Sequence, residues 1–309
     1  MKAAAVLFSV LALVACGPGL RGDDDGGGDD DGGGDDGGGG TTEPRQCNQM
    51  DIVFVVDDSG SMQEEQSNLA TNFPMFANLL SSYTTPDGQK IDYRVAVTTT
   101  GKDLSYAIDF GGMQLPFNED GDNGAFRNNC NVSRRWLEGS DPNMQQALAC
   151  RANVGTGGPG FEMPLLMSKW ALDKRVTDGT NAGFLRPEAL LAIVMLTDED
   201  DASTEQNNFV ISPTGQPPVD YHPAAHIQFL DALKGHRSRW AAAAIAGDGN
   251  CSSSFGDAVD AKRLKDFVNL ANAGGGTQAT FSSICAGDLT AGLQKALMLF
   301  QSACGGVIL

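Results

Sequence analysis

Positively charged residues are few in this chain. Its 309 residues include 21 lysines and arginines against 39 aspartates and glutamates, which gives a formal net charge of −18 at pH 7. An acidic protein repels nucleic acid and anionic lipid headgroups. We therefore expect neither nucleic acid nor anionic headgroups among the ligands of the folded part of the chain.

Histidines are scarce as well, and the motifs of common catalytic sites are missing. Two of the 3 histidines, His222 and His226, could share a helix face. Pro223 lies between them and no third metal ligand is near, so we interpret them as residues at the start of a helix. The sequence contains no cysteine spacing typical of zinc, no Ser-His-Asp set and no P-loop. An enzyme is therefore not expected.

The apolar run at residues 3–15 is too short to anchor the chain across a bilayer and is typical of a secretory signal. It ends in Leu13-Val14-Ala15-Cys16, which is similar to a bacterial lipobox. This similarity predicts a lipoprotein signal peptide at residues 1–16 with Cys16 lipidated, and the alternative is an ordinary signal peptide with a leftover cysteine. Gly17 favours the outer membrane or cell surface of a Gram-negative bacterium.

Residues 17–46 are rich in glycine and aspartate and contain nothing that can bury a core. We predict that they form a disordered tether with an end-to-end distance of roughly 30 Å, extended by repulsion among the aspartates. The tether would hold a domain at residues 47–309 away from the membrane.

A buried strand followed by oxygen ligands is the most informative part of the sequence. The apolar run Ile52–Val56 predicts a strand buried on both faces, and Asp57, Ser59 and Ser61 follow it at alternate positions. A carboxylate and two hydroxyls are hard oxygen donors, which suit Mg²⁺ or Mn²⁺ better than Zn²⁺. Ligands of open α/β sheets bind beyond the carboxyl ends of the strands, where this loop is expected to lie.

The residues Asp57-Asp58-Ser59-Gly60-Ser61 resemble the Asp-x-Ser-x-Ser signature of the von Willebrand factor type A (vWA) domain. The resemblance implies a metal-ion-dependent adhesion site (MIDAS) in which Asp57, Ser59 and Ser61 bind the ion. An alternative role for Asp57 or Ser59 is to cap the following helix, and this role is compatible with metal binding.

The same resemblance implies two further metal ligands. In this family a threonine from the loop before a later helix binds the ion, and Thr156 is the threonine in the corresponding loop; its alternative role is a turn or cap residue. An aspartate after a central strand completes the site, usually through a water, and Asp198 matches it after the apolar run Leu190–Leu196. We interpret the neighbouring acids at 199–201 as a solvated loop, with a second cation site as the alternative.

Strands and helices alternate after the motif, which predicts an α/β fold. We expect a doubly wound, mainly parallel central sheet flanked by helices, similar to vWA and Rossmann folds. Residues 101–160 have weak periodicity and are predicted to form a long insertion stapled by a disulfide. Within the insertion, residues 118–124 suggest a calcium loop, but their spacing departs from that motif and favours a surface turn.

Seven cysteines occur, and six remain when Cys16 is set aside. An even number in an exported chain predicts a disulfide framework, although six cysteines permit 15 pairings. The pair favoured most is Cys47–Cys304, because the resemblance implies termini that lie close together. Cys130–Cys150 inside the insertion and Cys251–Cys285 complete the preferred pairing.

The predicted function is binding rather than catalysis. The resemblance implies a cell-envelope lipoprotein whose vWA domain binds a protein or other ligand through Mg²⁺ or Mn²⁺, with an acidic group of the partner completing the coordination, as in cell adhesion. One alternative is a metal-independent scaffold of an envelope complex. The least favoured alternative is a metal-assisted hydrolase, because no general base is evident near the site.

Overall fold

A six-stranded sheet organises the computed structural model, which describes residues 47–85, 88–253, 256–287 and 289–306. The strands are β1 (Gln49–Val56), β2 (Asp92–Thr99), β3 (Leu104–Asp109), β4 (Gln114–Glu119), β5 (Leu137–Glu138), β6 (Leu190–Leu196), β7 (Asn208–Ile211), β8 (Trp240–Ala246), β9 (Cys251–Ser253), β10 (Gly256–Ala258) and β11 (Ala279–Ser283). The order in the large sheet is β11-β8-β6-β1-β2-β5. All neighbours are parallel except β2 and β5, so the expected mainly parallel sheet is confirmed.

Helices cover both faces of this sheet, as predicted. They are α1 (Gln63–Ser82), α2 (Met144–Ala152), α3 (Pro164–Leu172), α4 (Lys174–Thr177), α5 (Pro223–Lys234), α6 (Lys262–Ala271) and α7 (Leu289–Gly306). Alternate residues of β1 face opposite sides, because side chains alternate along a strand. Ile52 and Phe54 pack into the core formed with α1, α2 and α7, whereas Val53 and Val55 pack into the core formed with α3, α5 and α6.

The register of the central strands determines which loops meet. Val56 at the end of β1 is paired with Leu196 at the end of β6, and the Asp57 backbone N–H donates to the Leu196 carbonyl at 2.9 Å. Both strands therefore end at the same level of the sheet. The loops that follow them must lie side by side, and these loops carry Asp57 and Asp198.

The predicted insertion at residues 101–160 is only partly separate from the large sheet. β3 and β4 form an antiparallel hairpin, and β7, which comes from a later connection, pairs in parallel with β3. Tyr106 of β3 stacks between Phe117 and Phe209, with ring centroids 5.2 and 5.4 Å apart. By contrast, β5 extends the large sheet, and α2 packs into the core beside α1.

Three disulfides join the chain in the pairing that the sequence favoured. The bonded pairs are Cys47–Cys304, Cys130–Cys150 and Cys251–Cys285, with Cα atoms 5.1, 6.1 and 6.3 Å apart. The first bond ties the residue before β1 to α7 and therefore closes the domain at its two ends. The predicted signal peptide, Cys16 and the predicted tether lie outside the described residues. Within the described ranges, no helix is long and apolar enough to cross a bilayer.

Candidate metal centre

Asp57 occupies the first position beyond β1 and is fully buried. One carboxylate oxygen accepts a hydrogen bond from the Ser59 N–H at 2.8 Å, and the other accepts from the Thr197 hydroxyl at 2.6 Å. The side chain of Gln66 in α1 donates to the Asp57 carbonyl at 2.8 Å. These three contacts fix the orientation of the carboxylate. Thr197 and Gln66 are positioning residues that the sequence analysis did not identify.

Ser59 and Ser61 lie in the turn that joins β1 to α1, with a 3-10 turn at Gly60–Met62 between the strand and the helix. Their hydroxyl oxygens are 2.9 Å apart. Ser59 is buried, whereas Ser61 is exposed at the mouth of the site. The hydroxyl of Ser61 also reaches Asp198, whose pKa it lowers. The structure thus brings Asp57, Ser59, Ser61 and Asp198 together at one edge of the sheet.

Thr156 is placed differently from this group. It is exposed, and no hydrogen bond within the described part of the chain joins its hydroxyl to the four residues. Its loop is held instead through Asp58, whose carbonyl accepts from the Gly158 N–H at 2.7 Å. Gly158 lies so close that a Cβ atom there would overlap the Asp58 carboxylate. A side chain at 158 is therefore excluded by the packing of this loop.

Glu162 is a buried acid at this centre that the sequence analysis missed. It is 1% exposed, and neither carboxylate oxygen receives a hydrogen bond from a donor group. The acids that act on it are Asp57 and Glu199. The local sequence Phe161-Glu162-Met163-Pro164 could have revealed it. An acid that stands among apolar residues just before a buried helix is difficult to solvate.

The carboxylates of the centre are held in a strongly negative environment. Burial raises the pKa of Asp57, and burial together with the Asp57 charge raises the pKa of Glu162 well above its ordinary value. The pKa of Asp198 is raised to about 8, mainly by burial and next by Asp57. Burial also raises the pKa of Glu65, which lies beside them, to about 7. Among the residues described, no lysine or arginine forms an ion pair with any of these four acids.

This donor set fits a hard divalent cation. Carboxylate and hydroxyl oxygens are the ligands that Mg²⁺ prefers, and the buried, unpartnered Asp198 Oδ1 has no donor to satisfy it. The described residues contain no group of three or more His, Cys, Asp or Glu side chains arranged as a metal cage. Mg²⁺ usually keeps several waters, so hydroxyls and water-mediated carboxylates suit it better than a closed cage does.

The other acids after β6 do not form the solvated loop that was expected. Asp201 is 2% exposed, accepts from the Leu165 N–H at 3.1 Å and pairs with Arg263 at 3.2 Å. Asp200 accepts from the Arg263 and Leu264 N–H groups at the start of α6. Both acids therefore connect neighbouring elements of the fold, and the expectation of a solvated loop was wrong.

Residues 118–124 form a turn at the rim of the centre. The Asn123 side chain accepts from the Asp103 N–H at 3.0 Å, and the Asp103 carboxylate accepts from the Gly121 N–H at 2.9 Å. Asp122 forms an ion pair with Arg127 at 3.6 Å. These contacts agree with the surface turn that the spacing favoured. Burial, together with the nearby charge of Asp122, raises the pKa of Asp58 to about 7.

No protein-family profile matches the chain, and no curated protein matches it. Solved structures match at low identity. Proximal thread matrix protein 1 from the mussel byssus is 15% identical with a TM-score of 0.41, and the match covers 82% of this chain and 48% of that one. Manganese-loaded Plasmodium vivax TRAP is 11% identical with a TM-score of 0.39, covering 85% and 76%. The pilus adhesin SpaC from Lactobacillus rhamnosus GG is 13% identical with a TM-score of 0.43, covering 83% and 30%.

The chain spans about half the length of the mussel protein, 48% of it. TM-scores below 0.5 at these identities are too low to transfer a function to this chain. The mainly parallel sheet flanked by helices is consistent with a vWA or Rossmann-like fold in its own right.

Proposed function

We propose that this chain is a cell-envelope lipoprotein that binds a partner through a divalent cation, Mg²⁺ or Mn²⁺, at the carboxyl end of its sheet. Asp57, Ser59, Ser61 and Asp198 would hold the ion in a MIDAS of the vWA type. The lipid on Cys16 would anchor the chain to the membrane, with the domain carried on the acidic tether. The role is binding or adhesion, and no catalytic step is assigned.

The observation that carries the proposal is the buried negative charge of the centre. Asp57 and Asp198 are 0% and 2% exposed, and Asp198 Oδ1 has no hydrogen-bond partner. Burying a carboxylate without a compensating charge or donor is unfavourable, so such groups become protonated or bind a cation. The two serine hydroxyls beside them supply further oxygen ligands for a cation.

Each residue has a defined part in this mechanism. Asp57 is held rigidly by the Ser59 N–H and the Thr197 hydroxyl, so its carboxylate is preorganised for an ion. Ser61 is exposed and marks the side on which a partner can approach. When bound, the ion supplies an open coordination position for an oxygen of the partner. An acidic group of the partner is favoured there because it carries the charge opposite to that of the ion.

In the part of the chain that the structure describes, no hydrogen bond joins any of the three histidines to the acids of the centre, so a general base for hydrolysis there would have to be one of those acids. His226 is fully buried between Ser168 and Tyr221, at 3.2 and 3.0 Å, and is therefore closed to a substrate. His222 is the residue before the first turn of α5, without a capping hydrogen bond from its side chain, and His236 Nδ1 contacts Ser238 Oγ at 2.8 Å. A metal-assisted hydrolase requires a general base near the ion.

The first test is a titration of the purified chain with Mg²⁺ and Mn²⁺ by calorimetry. Ser61→Ala is the informative variant, because Ser61 is exposed and its hydroxyl can be removed without disturbing the core. Ser67→Ala, an exposed serine in α1, is the matched control. We expect saturable binding that is weakened about tenfold or more by Ser61→Ala and unchanged by Ser67→Ala. Equal affinities in all three proteins would refute the proposed site.

A second test separates the binding role from a metal-independent scaffold. Cross-linking on cells would first identify a partner. The same partner, bound without a cross-link, should then dissociate when a chelator is added and bind again when Mg²⁺ is restored. The three disulfides are unaffected by chelation, so the domain remains folded during the test. Partner binding that survives chelation would favour the scaffold.

A further inference from the structure

Glu162 is held rigidly in a place where water cannot solvate it. It is 1% exposed and lies two residues before α3. Its carbonyl accepts from the Ala202 N–H at 2.7 Å, and the N–H of the next residue, Met163, donates to the Thr100 carbonyl at 3.1 Å. The loops after β6 and β2 thus fix the backbone on both sides of Glu162.

The carboxylate of Glu162 has no internal compensation. Neither oxygen receives a hydrogen bond from a donor group, and the acids that act on it, Asp57 and Glu199, carry the same sign of charge, with the Glu199 carboxyl within hydrogen-bonding reach. A buried, unpaired carboxylate is costly, and two like charges beside it add to that cost. A cation next to Asp57 compensates both carboxylates at once.

Thr156, the residue that the vWA resemblance assigns to this position, is not joined by a hydrogen bond to the four residues of the centre in the described part of the chain. It is exposed, and its loop is fixed by the Gly158 N–H on the Asp58 carbonyl. Glu162 lies in the same connection, six positions further along the chain, and is buried beside Asp57.

We propose that Glu162, in place of Thr156, is the ligand that this connection contributes to the divalent cation, either directly or through a water. This inference rests on the proposed function, because it concerns the same ion. With Asp57 and Asp198, Glu162 adds a third carboxylate around the ion; since the described residues form no direct cage of three acids, at least one of the three would act through a water. The site therefore binds the cation more strongly than a site with a threonine does, and the bound ion attracts a carboxylate of the partner less.

The experiment compares Mn²⁺ binding by calorimetry in the wild-type chain, Glu162→Gln, Thr156→Val and Glu64→Gln. Glu64 is exposed near the start of α1, so Glu64→Gln changes the net charge by the same amount without touching the centre. We expect Glu162→Gln to weaken Mn²⁺ binding about tenfold or more and the other two variants to stay within about twofold of wild type. Glu162→Asp retains the charge, so its affinity should lie above that of Glu162→Gln.

Thermal unfolding provides a second readout that a purely structural role would not give. Without metal, Glu162→Gln should melt at or slightly above the temperature of wild type, because the amide replaces a buried carboxyl that no donor among the described residues contacts. With saturating Mn²⁺ the order should reverse, since the variant gains less stability from the ion. A lower melting temperature under both conditions would overturn the inference.

The remaining outcomes distinguish this inference from the proposed function. If Thr156→Val weakens Mn²⁺ binding and Glu162→Gln does not, the inference is refuted while the metal centre stands. If the wild-type chain shows no saturable binding, the proposed function is refuted and the inference with it.

Discussion

The imidazole of His226 is expected to make the folded protein sensitive to acid. His226 is fully buried, with Ser168 Oγ 3.2 Å from Nε2 and Tyr221 Oη 3.0 Å from Nδ1. Burial lowers the pKa of His226 from 6.5 to about 3, and the nearby positive charge of Lys169 adds to the effect. The protonated imidazole is therefore strongly disfavoured in the folded state.

The direction of the pH effect follows from this lowered pKa. Above pH 6.5 the imidazole is neutral in both states, so its contribution to stability is fully present. As the pH falls below 6.5, the unfolded chain binds a proton that the folded chain rejects until about pH 3. The contribution of His226 to the free energy of unfolding should fall by up to about 1.4 kcal/mol per pH unit in this window, or about 2.5 kcal/mol between pH 7 and pH 4.5. The acids of the centre contribute in the opposite direction, because their raised pKa values let the folded state bind protons before the unfolded chain does.

Urea unfolding at several pH values measures this contribution. His226→Gln should be less stable than wild type at pH 7, because it loses packing and hydrogen bonds, but this difference in stability should shrink by about 2.5 kcal/mol between pH 7 and pH 4.5. His236→Gln is the control, since His236 is an exposed histidine near the end of α5. The reasoning would be refuted if His226→Gln and wild type lost stability in parallel over this range.

Three further predictions concern the ends of the domain, the loop beside the centre and the membrane anchor. Replacing both cysteines of Cys47–Cys304 with alanine should lower the free energy of unfolding by about 2 kcal/mol more than the same change at Cys130–Cys150. The reason is that the first bond closes a loop of 257 residues and the second a loop of 20. Urea unfolding of the two variants measures the difference. Gly158→Ala should cost about 1 to 3 kcal/mol through overlap with the neighbouring carboxylate, whereas Gly157→Ala, which meets open space, should have little effect. Cys16→Ser should move the chain from the membrane fraction to the soluble fraction in a Gram-negative host, and an unchanged distribution would contradict lipid anchoring.

The large sheet was predictable because its two central strands can be recognised from their local sequence alone. Ile52–Val56 and Leu190–Leu196 are continuous apolar runs, and only a strand covered on both faces buries every residue of such a run. The acids that follow these runs were predictable for the same reason, since parallel strands end at one edge.

Other features depend on contacts between distant residues, which leave little trace in the local sequence. β7 pairs with β3 across about a hundred residues, so neither the small sheet nor the boundary of the insertion was visible in the sequence. Asp201 reads as one of several exposed acids until α3 and α6 surround it. Glu162 was missed for a similar reason, because the two loops that bury it come from elsewhere in the chain.

Two buried acids elsewhere in the fold are paired with arginines, whereas, within the described part of the chain, the acids of the centre are not. Asp51 is fully buried but pairs with Arg186 at 2.8 Å, and Asp201 is equally enclosed but pairs with Arg263 at 3.2 Å. This fold therefore provides a guanidinium where a buried carboxylate holds its elements together. Glu162 and its neighbouring acids receive none within the described ranges, although they are buried to a similar degree. A structural role accounts for the paired acids, whereas the unpaired ones must either hold a proton or bind a cation from outside the chain, and the divalent cation that we propose would fill the second role.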